Sequence, residues 1–349
     1  MIVTTTIGEV PTGAIADLFG KKRTLTIAFI LEAFCNIYMG FALNLPMLLI
    51  AVFVGAIGGC LYSGTLDALV YDSLKQNNHQ KTFGKIISNI NSIQLISMTI
   101  ASIVGGFLYL VNPRSPFLLL GMFGLIGALL TFWLEEPEVD TEKFNFANFI
   151  NQNKQGLKQL FQNSTTVKHT ITLMIIGGIL LICEEMLDSV LALEFGFKPQ
   201  SSGVLFSVVF LVSAVVSQLS PSLNRHLGSI KSLFLISLVV GLSFIISPYV
   251  GIVLGGLSLI IRNSSGMLYH NLASVVINEQ TESKYRATTL STFNMLKNLP
   301  YVFTAYLFGH YMDIIGARQF TFILGLVVIA LIIFQYRQIK SKTVQLSNM

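Results

Sequence analysis

The sequence predicts an all-α polytopic membrane protein with eleven transmembrane helices arranged as two pseudo-symmetric bundles. Hydrophobic residues make up 53% of the 349 residues and charged residues only 11%, whereas soluble domains carry roughly 25% charged residues. The apolar residues come in blocks of about twenty, the length that crosses a hydrocarbon core of roughly 30 Å. A very apolar soluble protein would show polar stripes at the helical period, but residues 117–134 are apolar on all sides.

Apolar runs bounded by charges, prolines or glycines place the eleven spans in order along the chain. The predicted spans are residues 2–18, 24–43, 46–73, 83–111, 115–134, 168–195, 203–222, 231–249, 251–277, 286–312 and 318–336.

A long polar interval separates the first five spans from the last six. It predicts a cytoplasmic linker at 135–167, part of which is either an amphipathic helix on the membrane surface or a partly ordered loop. The predicted organisation is an N-terminal bundle at 1–134, this linker, a C-terminal bundle at 168–337 and a cytoplasmic tail at 338–349.

The lysine and arginine residues predict the orientation of the chain. Of the 22 such residues, 17 fall on the side of the loop at 21–23, 3 fall on the opposite side, and Arg262 and Lys297 lie within spans. Because cytoplasmic loops are enriched in lysine and arginine, the loop at 21–23 is expected in the cytoplasm. The C-terminus is then cytoplasmic, and the protein is expected to be a multi-pass protein of the cell membrane.

Two short internal similarities suggest that the second half repeats the first. Residues 13–25 align with 221–233, and residues 105–121 align with 309–325, in each case at an offset of slightly more than two hundred. Such repeats are typical of transporters. In this register the second half has six spans and the first has five, so the helix without a counterpart would precede residue 1.

One short motif occupies the loop between the first two spans. It consists of Gly13, Asp17 and Gly20, followed by the basic run Lys21, Lys22 and Arg23. Gly13 permits close helix contact, Asp17 brings a charge to the membrane edge, and Gly20 permits a tight turn.

This motif resembles the signature loop between the second and third helices of the major facilitator superfamily. The preceding Glu9-Val10-Pro11-Thr12, the segment from Ser63 to Leu74 and the segment Tyr285–Ser291 are similar to a drug and metabolite exporter-like subgroup. The resemblance implies a major facilitator fold lacking its first helix, and a secondary transporter that exchanges substrate for protons. The pair Gly105-Gly106 follows Ala101–Val104, where the antiporter signature usually has Gly-Pro.

The resemblance also implies a cytoplasmic gate. Its expected residues are Gly13, Asp17, Gly20, Lys21, Lys22, Arg23, Asp72 and Arg286, and a solvated surface role is the alternative for the charged ones.

Ionisable residues at bilayer depth are costly and point to a pathway, a proton site or a buried pair. The candidates are Glu9, Glu32, Asp67, Glu184, Glu185, Asp188, Arg262, His270 and Lys297.

The resemblance implies that four of these residues line one central cavity as a proton or substrate site: Asp67, Glu184, Asp188 and Arg262. Glu184 and Asp188 are four residues apart and would share a helix face, where one of them would hold a proton tightly. Neutralisation of one carboxylate by Arg262 or Lys297 is the structural alternative, and a structural role is favoured for Glu9, Glu32 and Lys297.

Other function classes find no support in the sequence. Gly20-Lys21 and Gly84-Lys85 lack the upstream glycine of a phosphate-binding loop, and no hydrolase motif is present. The cysteines lack metal-site spacing.

We therefore expect a non-enzymatic, monomeric transporter without a cofactor or metal. Its expected partners are an unknown small molecule, protons and the lipid bilayer, with no nucleic acid. Its predicted activity is proton-coupled efflux by alternating access, and the alternative is a non-transporting or inactive truncated membrane protein.

Overall fold

The structure is a computed structural model that describes residues 2–138 and 145–347. Within these ranges the secondary structure is helical and contains no β-strand, which confirms the all-α prediction. Residues 139–144 of the predicted linker and the last two residues of the predicted tail lie outside the described residues.

The first five predicted spans correspond to six α-helices. These are α1 (Ile2–Phe19), α2 (Lys21–Gly40), α3 (Leu45–Tyr62), α4 (Thr65–Gln76), α5 (Phe83–Val111) and α6 (Ser115–Leu130). The span predicted at 46–73 is divided into α3 and α4 at Ser63–Gly64, because Gly64 takes a φ of +70°, a left-handed conformation that glycine adopts readily.

The predicted linker contains a helix, α7 (Phe146–Leu160). Asn145 begins it, since the Asn145 side chain accepts a hydrogen bond from the Asn148 N–H at 2.7 Å. Gln152, Gln159 and Leu160 are buried, so this amphipathic helix packs one face against protein.

The last six predicted spans correspond to eight α-helices. These are α8 (Ser164–Ile182), α9 (Asp188–Phe195), α10 (Pro199–Ser217), α11 (Ser220–Leu227), α12 (Ser229–Ile245), α13 (Ile252–Gln280), α14 (Arg286–Ile315) and α15 (Ala317–Ser347). A π-helical turn at Cys183–Leu187 joins α8 to α9. The ends of α10 and α11 meet at a bend of 43°.

Six helical segments of the described residues are long and apolar enough to cross a membrane, and seven if the bent α10–α11 pair is one span. They are Leu45–Gln76, Gln80–Tyr109, Ser115–Trp133, Thr166–Phe195, Ile252–Gln280 and Ala317–Arg337. The full count of eleven stays a prediction. Large apolar side chains such as Phe53, Phe107 and Phe123 are exposed along these helices, as a lipid-facing surface requires.

The described residues form two compact units. Unit 1 comprises those of 1–83, 103–167 and 274–299, and unit 2 comprises those of 84–102, 168–273 and 300–349. Unit 1 thus includes the segment 274–299 from the predicted C-terminal bundle, and unit 2 includes 84–102 from the predicted N-terminal bundle. The boundaries predicted at 134 and 168 stay a prediction.

Within unit 1, α2 packs closely against α6 because glycines face it. A Cβ atom on Gly124 would lie 3.0 Å from the Ala33 Cα and N atoms, and one on Gly121 would lie 3.1 Å from the Ala33 carbonyl oxygen. Small residues let membrane helices approach to backbone contact, where dispersion and weak hydrogen bonds stabilise them.

We expect Gly124→Leu to lower the free energy of unfolding by about 1–3 kcal/mol, because overpacking forces the two backbones apart. The matched control is Gly59→Leu, since a Cβ atom at Gly59 meets nothing within 4 Å. The apparent melting temperature of each variant in detergent measures the difference. Equal melting temperatures for the two variants would contradict the proposed role of the α2–α6 contact.

Candidate functional site

Four charged side chains of unit 1 form a buried group that we call the charge cluster: Asp17, Lys21, Asp72 and Arg286. Each has a side-chain exposure of 3% or less. The Lys21 Nζ lies 3.3 Å from Asp17 Oδ1 and 3.2 Å from Asp72 Oδ2, and Arg286 forms an ion pair with Asp72 Oδ1. Two acids and two bases thus balance each other away from water.

Asp17 also binds the beginning of α14. Its Oδ1 accepts a hydrogen bond from the Ala287 N–H at 3.1 Å, and its Oδ2 accepts from the Thr288 N–H and Oγ1, both at 2.8 Å. The first N–H groups of a helix have no partner within the helix and carry partial positive charge. A carboxylate from α1 therefore caps α14, which lies more than 260 residues later in the sequence.

Arg286 is held from several sides. Its Nη2 donates to the carbonyl oxygens of Thr281 at 2.7 Å and Asn278 at 3.3 Å, and its guanidinium carbon lies 4.3 Å from the centre of the Tyr71 ring. These contacts fix the guanidinium for its ion pair with Asp72. The loop between α13 and α14 is thereby attached to α4.

The linker helix α7 extends this network. The Gln152 side-chain amide donates to Asp17 Oδ2 at 3.2 Å and to the Lys284 carbonyl oxygen. A Cβ atom on Gly156 would lie 2.5 Å from Thr288 Cγ2, and the Gly156 carbonyl oxygen accepts from Thr289 Oγ1 at 3.4 Å. We did not expect Gln152 from the sequence, because a glutamine on an amphipathic helix normally faces water.

The other residues of the predicted gate motif surround the charge cluster without joining its ion pairs. A Cβ atom on Gly13 would lie 2.7 Å from Ser291 Cβ and 2.8 Å from the Ala287 carbonyl oxygen, so only glycine fits this approach. Gly20 has a φ of +106°, and the first N–H groups of α2 after it donate to the Glu136 carboxylate, from Lys21 at 2.6 Å and from Lys22 at 2.9 Å.

The last residue of the motif, Arg23, is exposed. Its guanidinium carbon lies 6.0 Å from the centre of the Phe19 ring.

The four candidates for the proton or substrate site are divided between the units. Asp67 belongs to unit 1, where its Oδ2 accepts a hydrogen bond from the Ser274 hydroxyl. Glu184, Asp188 and Arg262 belong to unit 2. Their predicted assembly around one cavity stays a prediction.

Asp188 and Arg262 form a buried pair in unit 2. The distance from Arg262 Nη1 to Asp188 Oδ1 is 3.5 Å, and the side chains of Arg262 and Asp188 are 0% and 4% exposed. Arg262 also donates to Ser243 Oγ at 3.0 Å and to Ser247 Oγ at 2.6 Å. Asp188 Oδ2 has no hydrogen-bond partner among the described residues.

Glu184 lies within the π-helical turn at Cys183–Leu187, and Asp188 follows this turn directly. Asp188 is buried, whereas Glu184 is exposed. Glu184 is close enough to Asp188 to interact with it electrostatically. The common helix face of the two residues stays a prediction.

The remaining ionisable candidates lie in different surroundings. Glu9 and Lys297 of unit 1 are buried, at 6% and 8% exposure. Glu32 is exposed, and its Oε1 accepts from Asn36 Nδ2 at 3.2 Å. His270 packs edge-on against the Tyr269 ring. Among the described residues, no three histidine, cysteine or acidic side chains are grouped as a metal site.

A sequence profile of the Major Facilitator Superfamily matches residues 1–305 of the chain. The chain is 23% identical over 242 residues to YxaM, an uncharacterized MFS-type transporter of Bacillus subtilis (strain 168), and 22% identical over 126 residues to MJ1317, an uncharacterized MFS-type transporter of Methanocaldococcus jannaschii. These matches cover 66% and 36% of this chain, and 58% and 31% of the length of the two relatives.

Solved structures share the fold. The human organic anion transporter MFSD10 (TETRAN) has a TM-score of 0.78 at 14% identity, covering 96% of this chain and 81% of that one. FucP in the outward conformation has a TM-score of 0.72 at 13% identity, covering 94% and 86%. The proton:xylose symporter XylE bound to 6-bromo-6-deoxy-D-glucose also has a TM-score of 0.72 at 13% identity, covering 96% and 84%.

The contact of α7 with α14 generates a cross-linking prediction. In a variant whose native cysteines are replaced, Gly156→Cys together with Thr288→Cys is expected to form a disulfide in most molecules on mild oxidation. The two Cβ positions are 3.0 Å apart, so a separation of less than about 1 Å brings them to the Cβ–Cβ distance of a disulfide. Peptide mapping measures the yield. The control pair is Gln155→Cys with Thr288→Cys, since Gln155 is half-buried on a different face of α7. Equal yields from the two pairs would show that α7 does not hold this register.

Proposed function

The chain belongs to the Major Facilitator Superfamily, and we propose that it is a secondary transporter that moves a small molecule across the cell membrane by alternating access. The observation that carries the proposal is the charge cluster, because it attaches the beginning of α14 to α1 and α4. These helices belong to opposite halves of the predicted repeat. A transporter of this kind needs such an attachment to form and break in each cycle.

The energetics of the charge cluster suit a reversible gate. Burying the four charges costs a desolvation penalty that roughly offsets the attraction of their three ion pairs. When the attachment opens, water returns to the four charges and compensates the lost ion pairs. A purely apolar contact would gain about 25 cal/mol for each Å² of surface that it buries. It would therefore favour the closed state more strongly than the charge cluster does.

The positive-inside pattern places this gate at the cytoplasmic surface. The basic loop at 21–23 and the α13–α14 loop at Lys284 lie on the side that carries 17 of the lysine and arginine residues. The C-terminus lies on the same side in this orientation. The closed charge cluster then blocks access from the cytoplasm.

We further propose proton coupling and export of the substrate. Asp67 and Asp188 are carboxylates within helices that are long and apolar enough to span the membrane, where a proton and a positive partner compete for the carboxylate. Asp188 has Arg262 as that partner. The solved relative XylE is described as a proton:xylose symporter, which supports proton coupling at the level of the fold.

The gate is tested by Arg286→Ala. Removing one partner of a buried pair leaves Asp72 uncompensated and costs about 3–5 kcal/mol, so the closed state is expected to be lost and the transport rate to fall at least about tenfold. Uptake of a panel of radiolabelled small molecules into proteoliposomes measures the rate. Arg23→Ala is the matched control, because Arg23 is exposed. Equal loss of transport in both variants would refute the gate.

Proton coupling is tested by combining Asp67→Asn, Glu184→Gln and Asp188→Asn. We expect this variant to lose transport driven by a pH gradient while it retains exchange of labelled for unlabelled substrate, because exchange needs no net proton movement. Glu185→Gln is the control, since Glu185 is an exposed neighbour on the same π turn. Unchanged gradient-driven transport in the triple variant would rule out these proton sites.

A further inference from the structure

A second group of polar side chains lies deeper between the same two helices of unit 1. Glu9 on α1 and Lys297 on α14 are buried. Glu9 is ten residues from the end of α1 at Phe19, and Lys297 is eleven residues from the beginning of α14 at Arg286. At about 1.5 Å per residue, both lie roughly 15 Å from the charge cluster end, near the middle of a hydrocarbon core of about 30 Å.

The surroundings of Glu9 are polar. The hydroxyls of Ser63 and Ser291 face its carboxylate, and Lys297 is close enough to interact with it electrostatically. Asn294 Nδ2 donates to Ser63 Oγ at 2.9 Å, and Ser291 Oγ donates to the Ser63 carbonyl oxygen at 3.4 Å. These contacts hold the break between α3 and α4 beside the carboxylate.

Three buried oxygens in this region lack a hydrogen-bond partner among the described residues: Glu9 Oε2, Thr6 Oγ1 and Asn298 Oδ1. Thr6 is 2% exposed and Glu9 is 6% exposed. Buried polar groups are nearly always paired, so unpaired buried oxygens call for a partner such as a donor, an ordered water or a cation.

Helix periodicity relates Thr6 and Asn298 to the contact between α1 and α14. A Cβ atom on Gly13 would contact Thr288 and Ser291, and α1 and α14 run in opposite directions there, since both Asp17 and Arg286 lie at the charge cluster. Thr6 is seven residues before Gly13, and Asn298 is seven residues after Ser291, so both lie farther from the charge cluster. Side chains three, four or seven residues apart share a helix face, so Thr6 shares a face of α1 with Glu9 and Gly13, and Asn298 shares a face of α14 with Ser291.

We propose that Glu9, Thr6 and Asn298 form a binding site for a small monovalent cation, either an alkali ion or the ammonium group of a transported substrate. The proposal rests on the proposed transport function and adds the charge of the ligand. Carboxylate, hydroxyl and amide oxygens are the ligands that hard cations prefer. Because Lys297 already offsets part of the Glu9 charge, the site has no capacity to neutralise a divalent ion.

Cation binding at this site competes with Lys297 for the Glu9 carboxylate. A cation that binds Glu9 displaces Lys297, whose charge then has to be compensated by another group or by water. Because Glu9 carries a single negative charge, one positive group pairs with it at a time. The cation therefore binds more tightly when α14 holds Lys297 away from Glu9 than when the two side chains are paired. Such a difference in affinity between two conformations is what allows a ligand to shift the equilibrium between them.

The test measures the apparent melting temperature of the purified full-length protein at constant ionic strength. Sodium, potassium and methylammonium chlorides are each compared with choline chloride, whose quaternary cation is bulkier than the other three and carries no N–H donor. We expect a saturable increase with at least one small cation. A response to an alkali ion identifies an ion site, and a response to methylammonium alone identifies the ammonium group of a substrate.

Two variants and a control decide whether this response comes from the proposed site. Glu9→Gln is expected to abolish the response, and Thr6→Val, which keeps the shape of the side chain, is expected to raise the half-saturating concentration about tenfold, since one ligand to a charged group is lost. Glu32→Gln, at another carboxylate within a predicted span, is expected to respond as the unchanged protein does.

The absence of any cation response, or a response that persists in both Glu9→Gln and Thr6→Val, overturns the proposal. Ordered water filling the site would give the first of these results. A purely structural role of Thr6 predicts that Thr6→Val changes the melting temperature equally in every salt. The melting-temperature measurement does not depend on transport, so a result that overturns the cation site leaves the gate proposal intact.

Discussion

The ion pair between Asp72 and Arg286 is the interaction on which the arrangement of α4 and α14 in unit 1 depends. Both side chains are almost fully buried, and charges in that position persist only if each is compensated at close range. The pair therefore requires the α13–α14 loop to lie directly against α4. Asp17 and Lys21 extend the same requirement to α1 and α2, so four charges on four helices, α1, α2, α4 and α14, have to be assembled together.

Backbone geometry makes this assembly possible. Asp17 reaches the first N–H groups of α14 only because Gly13, one turn before it, has no side chain between the two helices. The Asp17 carboxylate then accepts hydrogen bonds that no residue of α14 accepts. An alanine at position 13 would place its Cβ atom 2.8 Å from the Ala287 carbonyl oxygen, and the helices would have to separate before Asp17 could reach α14.

The sequence predicts the helices well, because the apolar blocks that define them reflect the cost of exposing backbone groups to lipid. A motif resemblance identified the four residues of the charge cluster, and the structure places them in contact: Asp17, Lys21, Asp72 and Arg286.

Gln152 was missed because its role depends on which face of α7 packs against protein, and periodicity alone cannot distinguish a lipid surface from a protein surface. The π turn before Asp188 was missed for a related reason, since an inserted residue leaves no compositional signal. Glu9 was assigned a structural role because depth alone does not show whether the oxygens around a carboxylate are paired.

The arrangement of α1 and α14 links the two polar groups of unit 1 physically. One end of the helix pair carries the charge cluster, the middle carries Glu9 and Lys297, and the Gly13 contact lies between them. An α-helix transmits displacement along its axis because its hydrogen bonds keep the rise per residue nearly constant. A shift of α14 that separates Lys297 from Glu9 therefore also moves Ala287 and Thr288 relative to Asp17. Binding at the proposed cation site beside Glu9 would therefore act on the charge cluster through α14 itself, without a chain of intermediate side chains.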